Sequence, residues 1–208
     1  MKFILLVEGS TERNSAGAFL KRWLDPQLSQ PIRIQVVPSK GYAKLARDMA
    51  EKARMHLEGP RRDEIIAVIG LMDLYGPNFY PNNLTTVEER YTWAVEHFEK
   101  EVGLDSFRMF FAVHEFEAWL LSHPDIFPRD VRDALVAKKL QPERVNFNDP
   151  PATLLDQMYQ QIMKKGYKKT TYGKDLFAKL DTSIAVQQCP YFRKMLEEML
   201  SLAKKAGL

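Results

Sequence analysis

The sequence predicts an α/β fold: a mostly parallel four-stranded sheet flanked by helices, followed by a helical C-terminal half. Three observations carry the prediction. Residues 2–7, 32–37, 64–71 and 108–113 are short apolar runs rich in Ile, Val, Leu or Phe, of strand length rather than helix length. Segments with helical spacing lie between them, and such alternation argues for parallel strands joined by helical crossovers. Beyond about residue 115 the strand signals stop and helical segments continue alone.

Each element has its own signature. The first strand, 2–7, runs straight into Glu8-Gly9. Helix 11–24 places Ala16, Phe19, Leu20, Trp23 and Leu24 on one stripe and stops at Asp25-Pro26. Strand 32–37 is followed by Ser39-Lys40-Gly41. Helix 42–57 repeats Leu45, Met49, Ala53 and Leu57, then ends before Gly59-Pro60. After strand 64–71, residues 76–84 hold two prolines and three asparagines and read as a long loop. Helix 86–102 repeats Tyr91, Ala94, Val95 and Phe98, with Thr86 and Glu89 spaced as a capping box. After strand 108–113, residues 115–122, 129–139, 151–165 and 190–205 read as helices. Residues 1–122 are therefore expected to form the α/β core, and 123–208 a helical region packed on it.

The bulk properties bound the function. A chain of 208 residues suits one domain, or one with an appendage, and 45% hydrophobic content supports a core rather than disorder. A net charge of +3 permits an anionic partner without requiring one. Cys189 is the single cysteine, which excludes an intrachain disulfide or a thiolate cage and suits a reducing compartment. Residues 1–7 are too short for a signal-peptide core. No apolar run approaches the ~20 residues that span a bilayer, so the expected location is the cytoplasm. A P-loop is missing, so the chain is not expected to hydrolyse ATP itself.

In an open parallel sheet, ligands bind beyond the C-terminal ends of the strands. Glu8 and Glu12 follow the first strand, Asp73 the third, and Glu115 and Glu117 the fourth. Carboxylates gathered on one edge repel, so a proton or a cation must compensate them. Hard oxygen donors suit Mg²⁺ or Mn²⁺, which activate phosphoryl chemistry. Each acid also has a plainer reading: a turn at Glu8-Gly9, a favourable first helical turn for Glu12, a cap at Asp73, and a solvated helix start at Glu115 and Glu117. If the fourth strand continues through Glu117, Glu115 and Glu117 share a side; if a helix starts at Glu115, only one faces the edge. Trp119, Leu120 and Leu121 favour the helix, which makes Glu115 the better ligand.

Basic residues supply the complement. Lys164, Lys165, Lys168, Lys169 and Lys174, interleaved with Tyr167 and Tyr172, could follow phosphates while the rings stack on bases, or could simply form a solvated helix end. Lys40 lies just past the second strand, where it would neutralise substrate charge or act as an ordinary surface lysine. His114 abuts Glu115 as a proton shuttle or a structural histidine. Cys189 before Pro190 reads as a buried small residue.

The string Val7-Glu8-Gly9-Ser10-Thr11-Glu12 after an apolar strand resembles the first motif of the Toprim domain, shared by primases, topoisomerases, small maturases and overcoming-lysogenization-defect nucleases. His114-Glu115-Phe116-Glu117-Ala118-Trp119-Leu120-Leu121 and Cys189-Pro190-Tyr191-Phe192-Arg193 resemble a Toprim-like family, domain of unknown function 4276. The resemblance spans nearly the whole chain. It implies Glu8 as general acid/base or metal ligand and Asp73 as the first acid of an Asp-x-Asp motif. The second acid is replaced by Tyr75, so Glu115, Glu117 or Glu12 would have to substitute. The implied activity is Mg²⁺- or Mn²⁺-dependent phosphodiester cleavage of nucleic acid, with Glu8, Asp73 and Glu115 catalytic. The family also resembles components encoded beside ATPases in bacterial anti-phage systems, which implies an ATPase partner. The rival expectations are a degenerate module that binds nucleic acid or that ATPase without cutting, and a small-molecule phosphohydrolase.

Overall fold

The computed structural model describes residues 1–113, 115–144, 150–168 and 172–208, the side chains of 10–15 excepted. Four parallel strands form one sheet in the order β2-β1-β3-β4. β1 (Lys2–Val7) lies between β2 (Arg33–Pro38) and β3 (Ile65–Asp73), and β4 (Phe107–Ala112) closes the other edge. The central positions of β1 and β3 follow from their sequences. Parallel strands covered on both faces must be apolar at consecutive positions, and residues 3–7 and 67–72 are buried almost without break. β2 alternates exposed and half-buried residues, as an edge strand does.

Side chains sort by parity onto two faces. Phe3, Leu5 and Val7 of β1 and Ala67, Ile69 and Leu71 of β3 join one core with α1 (Ser10–Leu24) and the C-terminal helices. Ile4, Leu6, Val68 and Met72 join the other, with α2 (Tyr42–Leu57) and α3 (Val87–Val102). Gly70 faces this second layer, where an added Cβ would lie 2.6 Å from the Met109 sulfur. The second half contributes α4 (Glu117–Leu121), α5 (Arg129–Lys138), α6 (Pro151–Met163), α7 (Lys174–Lys179), α8 (Thr182–Gln188) and α9 (Pro190–Lys205). Trp119 of α4 packs on Phe19 of α1 and on Phe192 of α9, so aromatic rings tie the C-terminal helices to the first core. No helix among the described residues is long and apolar enough to cross a membrane.

The expected parallel sheet with flanking helices is the fold observed, and its departures from the sequence reading are local. β3 continues through Asp73, which pairs in register with Ala112. The chain turns after β4, so α4 begins at Glu117 rather than at residue 115. α7 and α8 were not read from sequence. Six and seven residues respectively are too few for a helical period to declare itself.

Candidate metal and nucleic-acid site

All four strands end on one rim because they are parallel, and the helices that follow β1, β2 and β3 start there. Their N-termini bring a partial positive charge to the rim. The Ser39 amide donates to the Val7 carbonyl at 2.8 Å, and the Gly41 amide to the Glu8 carbonyl at 3.0 Å. This places the turn bearing exposed Lys40 beside Glu8. The turn requires glycine: Gly41 has φ 88°, a region other residues rarely adopt.

Glu8 and Asp73 meet across this rim. The Glu8 Oε1 accepts a hydrogen bond from the Asp73 amide at 2.7 Å, and Asp73 Oδ1 accepts one from the Phe116 amide at 3.1 Å. Three consecutive strand ends are thus linked through two carboxylates. Tyr75 is 36% exposed where the second acid of an Asp-x-Asp pair would stand.

Two residues that sequence reasoning missed support this pair. Tyr80, folded in from the loop after β3, is buried and donates its hydroxyl to the Leu74 carbonyl at 3.0 Å, fixing the backbone next to Asp73. The Arg90 guanidinium lies over the Tyr80 ring at 5.2 Å, and its Nε donates to the Leu84 carbonyl at 2.9 Å. Burial pushes the Tyr80 phenol above the ordinary tyrosine range; Arg90 opposes the shift, and the charges of Glu8 and Asp73 add to it. One phenol therefore senses all three charges. The available signal was Arg90's place in the first turn of a helix entering from the rim. The Tyr42 hydroxyl also donates to Asn78 Oδ1 at 3.3 Å, leaning the same loop on α2.

The remaining predicted residues are placed differently. The Glu115 Oε2 accepts from the Ala152 amide at 2.9 Å, in the first turn of α6. Its carboxylate thus serves a helix N-terminus. Glu117 is fully buried at the start of α4, with Oε1 within 3.5 Å of the Tyr167 hydroxyl. Tyr167 is buried and Tyr172 half-buried. With Tyr159 they form a three-ring cluster, centroids 5.3 to 6.3 Å apart. Lys164, Lys165, Lys168 and Lys174 are exposed, and Lys164 Nζ donates to the Gln161 carbonyl. Asp156 holds this turn by accepting from the Tyr167 amide at 2.8 Å. The Glu12 side chain, His114 and Lys169 lie outside the described residues.

Glu143 is an acid that the sequence reading missed. It is 5% exposed, and it accepts from the Tyr191 and Phe192 amides at 2.7 and 3.1 Å at the start of α9. Burial raises its carboxyl to about 7 against those bonds and the nearby Arg193. Cys189 is buried, and its thiol is pushed well above its ordinary range by burial and by Glu143. A nucleophilic thiolate does not fit there.

Among the described residues, no group of three or more His, Cys, Asp or Glu side chains lies together in a way that could hold a metal ion. What the rim offers is a pair of hard oxygen donors, Glu8 and Asp73. Mg²⁺ commonly takes one or two carboxylates and completes its octahedron with water and phosphate oxygens. The pair therefore fits a single such ion.

A family model described as "Domain of unknown function (DUF4276)" matches residues 7–200. Among solved structures, the chain is similar to the C-terminal region of the Burkholderia pseudomallei OLD protein, at 20% identity and a TM-score of 0.49. That match covers 97% of this chain and 98% of the other. It is also similar to the C-terminal region of the Xanthomonas campestris pv. campestris OLD protein, at 17% identity and a TM-score of 0.47, covering 98% and 94%. A search of curated proteins gave no match.

Proposed function

The chain belongs to the DUF4276 family, and from that premise and the rim geometry we propose that it is a metal-dependent, nuclease-like protein of the Toprim type acting on nucleic acid. The observation that carries this reading is the contact of Glu8 with Asp73 at the C-terminal rim. Two acids from strands far apart in sequence meet where parallel sheets bind ligands.

In this reading Glu8 and Asp73 hold one Mg²⁺ or Mn²⁺, which when bound polarises a phosphoryl oxygen and favours hydroxide at neutral pH. The Asp73 amide fixes Glu8, and the Phe116 amide fixes Asp73, so both carboxylates are oriented before substrate arrives. In this reading Glu8 also takes a proton from the attacking water. Lys40, Lys164, Lys165, Lys168 and Lys174 contact the nucleic-acid backbone as mobile point charges, and Lys169 belongs to the same run. Glu115 supports the site by fixing α6 against it. Residues 1–122 form the Toprim-like core in this reading, with 123–208 as a helical region packed on it.

The experiment is a cleavage assay on DNA and RNA with Mg²⁺ or Mn²⁺. Cleavage lost on Glu8→Gln or Asp73→Asn, with melting temperature retained, supports the reading. Unchanged activity in both variants rejects it.

Tyr75 and the engagement of Glu115 by α6 favour a second reading: a catalytically degenerate module that binds nucleic acid or an ATPase partner without cutting. Polynucleotides left intact with either metal, together with stable association with an ATPase, would select it. A role in anti-phage defence in the cytoplasm belongs with either reading.

A further inference from the structure

The two outer strands of the sheet treat their free edges differently. In a parallel ladder, alternate residues turn both backbone groups toward the same neighbour, so the phase of the ladder fixes which groups face outward. The Val68 amide donates to the Ser106 carbonyl and the Ser39 amide to the Val7 carbonyl. With the registers of the sheet, this turns Phe107, Met109 and Phe111 outward from β4, and Ile34 and Val36 outward from β2.

The β4 edge is sealed by its surroundings. The Phe107 amide donates to the Leu104 carbonyl and the Met109 amide to Glu99 Oε1, each at 3.0 Å, and Arg108 Nη1 donates to the Phe107 carbonyl at 2.7 Å. The β2 edge is closed only where it begins. There the Ile32 amide donates to Asp25 Oδ1 at 2.9 Å, and the Ile32 carbonyl accepts from Lys21 Nζ at 2.6 Å. At its other end Pro38 has no amide to offer. Between these limits, the outward amides and carbonyls of Ile34 and Val36 bond to no described residue. Such groups are a template for another strand, and proteins ordinarily cover them.

This edge opens into a groove of about 670 Å³ between β2 and α1, lined by Gly17 and Ala18 on the helix and by Ile34 and Val36 on the strand. A Cβ on Gly17 would lie 3.3 Å from Val36 Cγ2 and 3.8 Å from the outward Ile34 carbonyl oxygen. The helix therefore stands over the edge itself, and that selects the occupant. Paired strands lie ~4.8 Å apart, whereas packed helices need ~8–10 Å. A second copy pairing through β2 would drive its own α1 into this one. An extended segment with no helix at its back fits.

The side chains of β2 define its chemistry. Ile34 and Val36 pack on the first core and Val37 on the second, so Arg33 and Gln35 share the face of Val37. Arg33 is exposed and forms no ion pair among the described residues. On the same face Lys2 Nζ lies 3.1 Å from Gln35 Oε1 and 3.8 Å from Glu64. A strand laid on β2 meets apolar side chains on one face and an excess of positive charge on the other.

We propose that the β2 edge is a docking site for an extended partner segment of alternating β-branched and acidic residues, which adds to the sheet as a further strand. The amides and carbonyls of Ile34 and Val36 hold its backbone. Its apolar residues close over those two side chains in the groove, and its acids face Arg33. The proposal is independent of the chemistry at the rim.

The test uses the full chain, isotope-labelled for NMR, and a blocked hexapeptide of alternating valine and glutamate as the probe. In the free chain the Ile34 and Val36 amides should exchange with solvent far faster than that of Met109. Millimolar probe should slow both by about tenfold. Val36→Pro removes only an outward amide and spares the ladder to β1, so it should weaken probe binding about tenfold with melting temperature retained. Arg33→Glu should weaken it about threefold and turn the preference toward the alternating valine–lysine peptide. Should Val36→Pro fail to fold, a probe N-methylated at alternate amides carries the test and should not bind. No slowing at Ile34 and Val36 with millimolar probe overturns the proposal, as does equal binding of the lysine peptide by the wild type. Amides already protected in the free chain, together with sedimentation as a dimer, overturn it in favour of a second copy.

Discussion

The two halves of the molecule use carboxylates for opposite purposes. At the rim of the sheet, Glu8 and Asp73 converge and are held by the backbone amides of Asp73 and Phe116. Glu115, at the border of the two halves, and Glu143, in the helical half, instead accept from the N-termini of α6 and α9. The reason lies in how each helix begins. α3 brings its own cap, Thr86 with Glu89, so its entry draws on no distant acid. α6 and α9 start with proline, preceded by Pro150 and Cys189, and neither preceding side chain caps the helix. Their first free amides, Ala152, Tyr191 and Phe192, recruit acids 37 to 49 residues away. The fate of a glutamate here depends less on its own neighbours than on which helix elsewhere lacks a cap.

The largest expected effect breaks the rim pair. Glu8→Gln and Asp73→Asn should each lower metal-dependent cleavage by roughly 10²–10⁴-fold with the fold intact. A loss of fold instead would put these acids in the same class as Glu143.

For Glu143 the expected effect is on stability and depends on pH. Its folded-state value, about 7, lies above the ordinary 4.5. The folded protein therefore holds that proton more tightly than the unfolded chain. The resulting stability is full below about 4.5 and is lost as pH rises through about 7. Urea unfolding should show a loss approaching about 3 kcal/mol between these limits, at ~1.4 kcal/mol per unit. In Glu143→Gln this component of the pH dependence should vanish; a profile identical to wild type contradicts the account.

Glu115 sharpens the comparison because it lies between the two groups. Glu115→Ala should cost about 1–2 kcal/mol as a lost cap, with a smaller effect on cleavage than Glu8→Gln. Full loss of activity at undiminished stability would move Glu115 into the metal set. The smallest effect belongs to Thr86→Ala, about 1 kcal/mol in thermal unfolding, with Mn²⁺ affinity unchanged.

Much of the architecture was legible because it rests on local pattern. The apolar run 2–7 could only be a strand covered on both sides, and helices 42–57 and 190–205 announce both ends through apolar stripes and Gly or Pro breaks. The capping box at Thr86 was readable for the same reason. At the site, strand-end logic singled out Glu8 and Asp73 together. It offered no way to see that Glu115 would be drawn to Ala152, since that contact depends on how α6 docks. Glu143 and Arg90 look like ordinary polar residues in sequence. Only burial against α9 distinguishes the first, and only the folding-in of Tyr80 distinguishes the second. The packing of the interleaved tyrosines was equally illegible, because Tyr159, which closes their cluster, lies outside the lysine run.

The most direct measurement is a crystal soaked in Mn²⁺ and recorded at the manganese absorption edge. The account predicts one anomalous peak bonded to carboxylate oxygens of both Glu8 and Asp73, at about 2.1 Å, the distance hard divalent ions of this size adopt. A peak bonded to neither residue, or an absence of any peak at millimolar Mn²⁺, would contradict it.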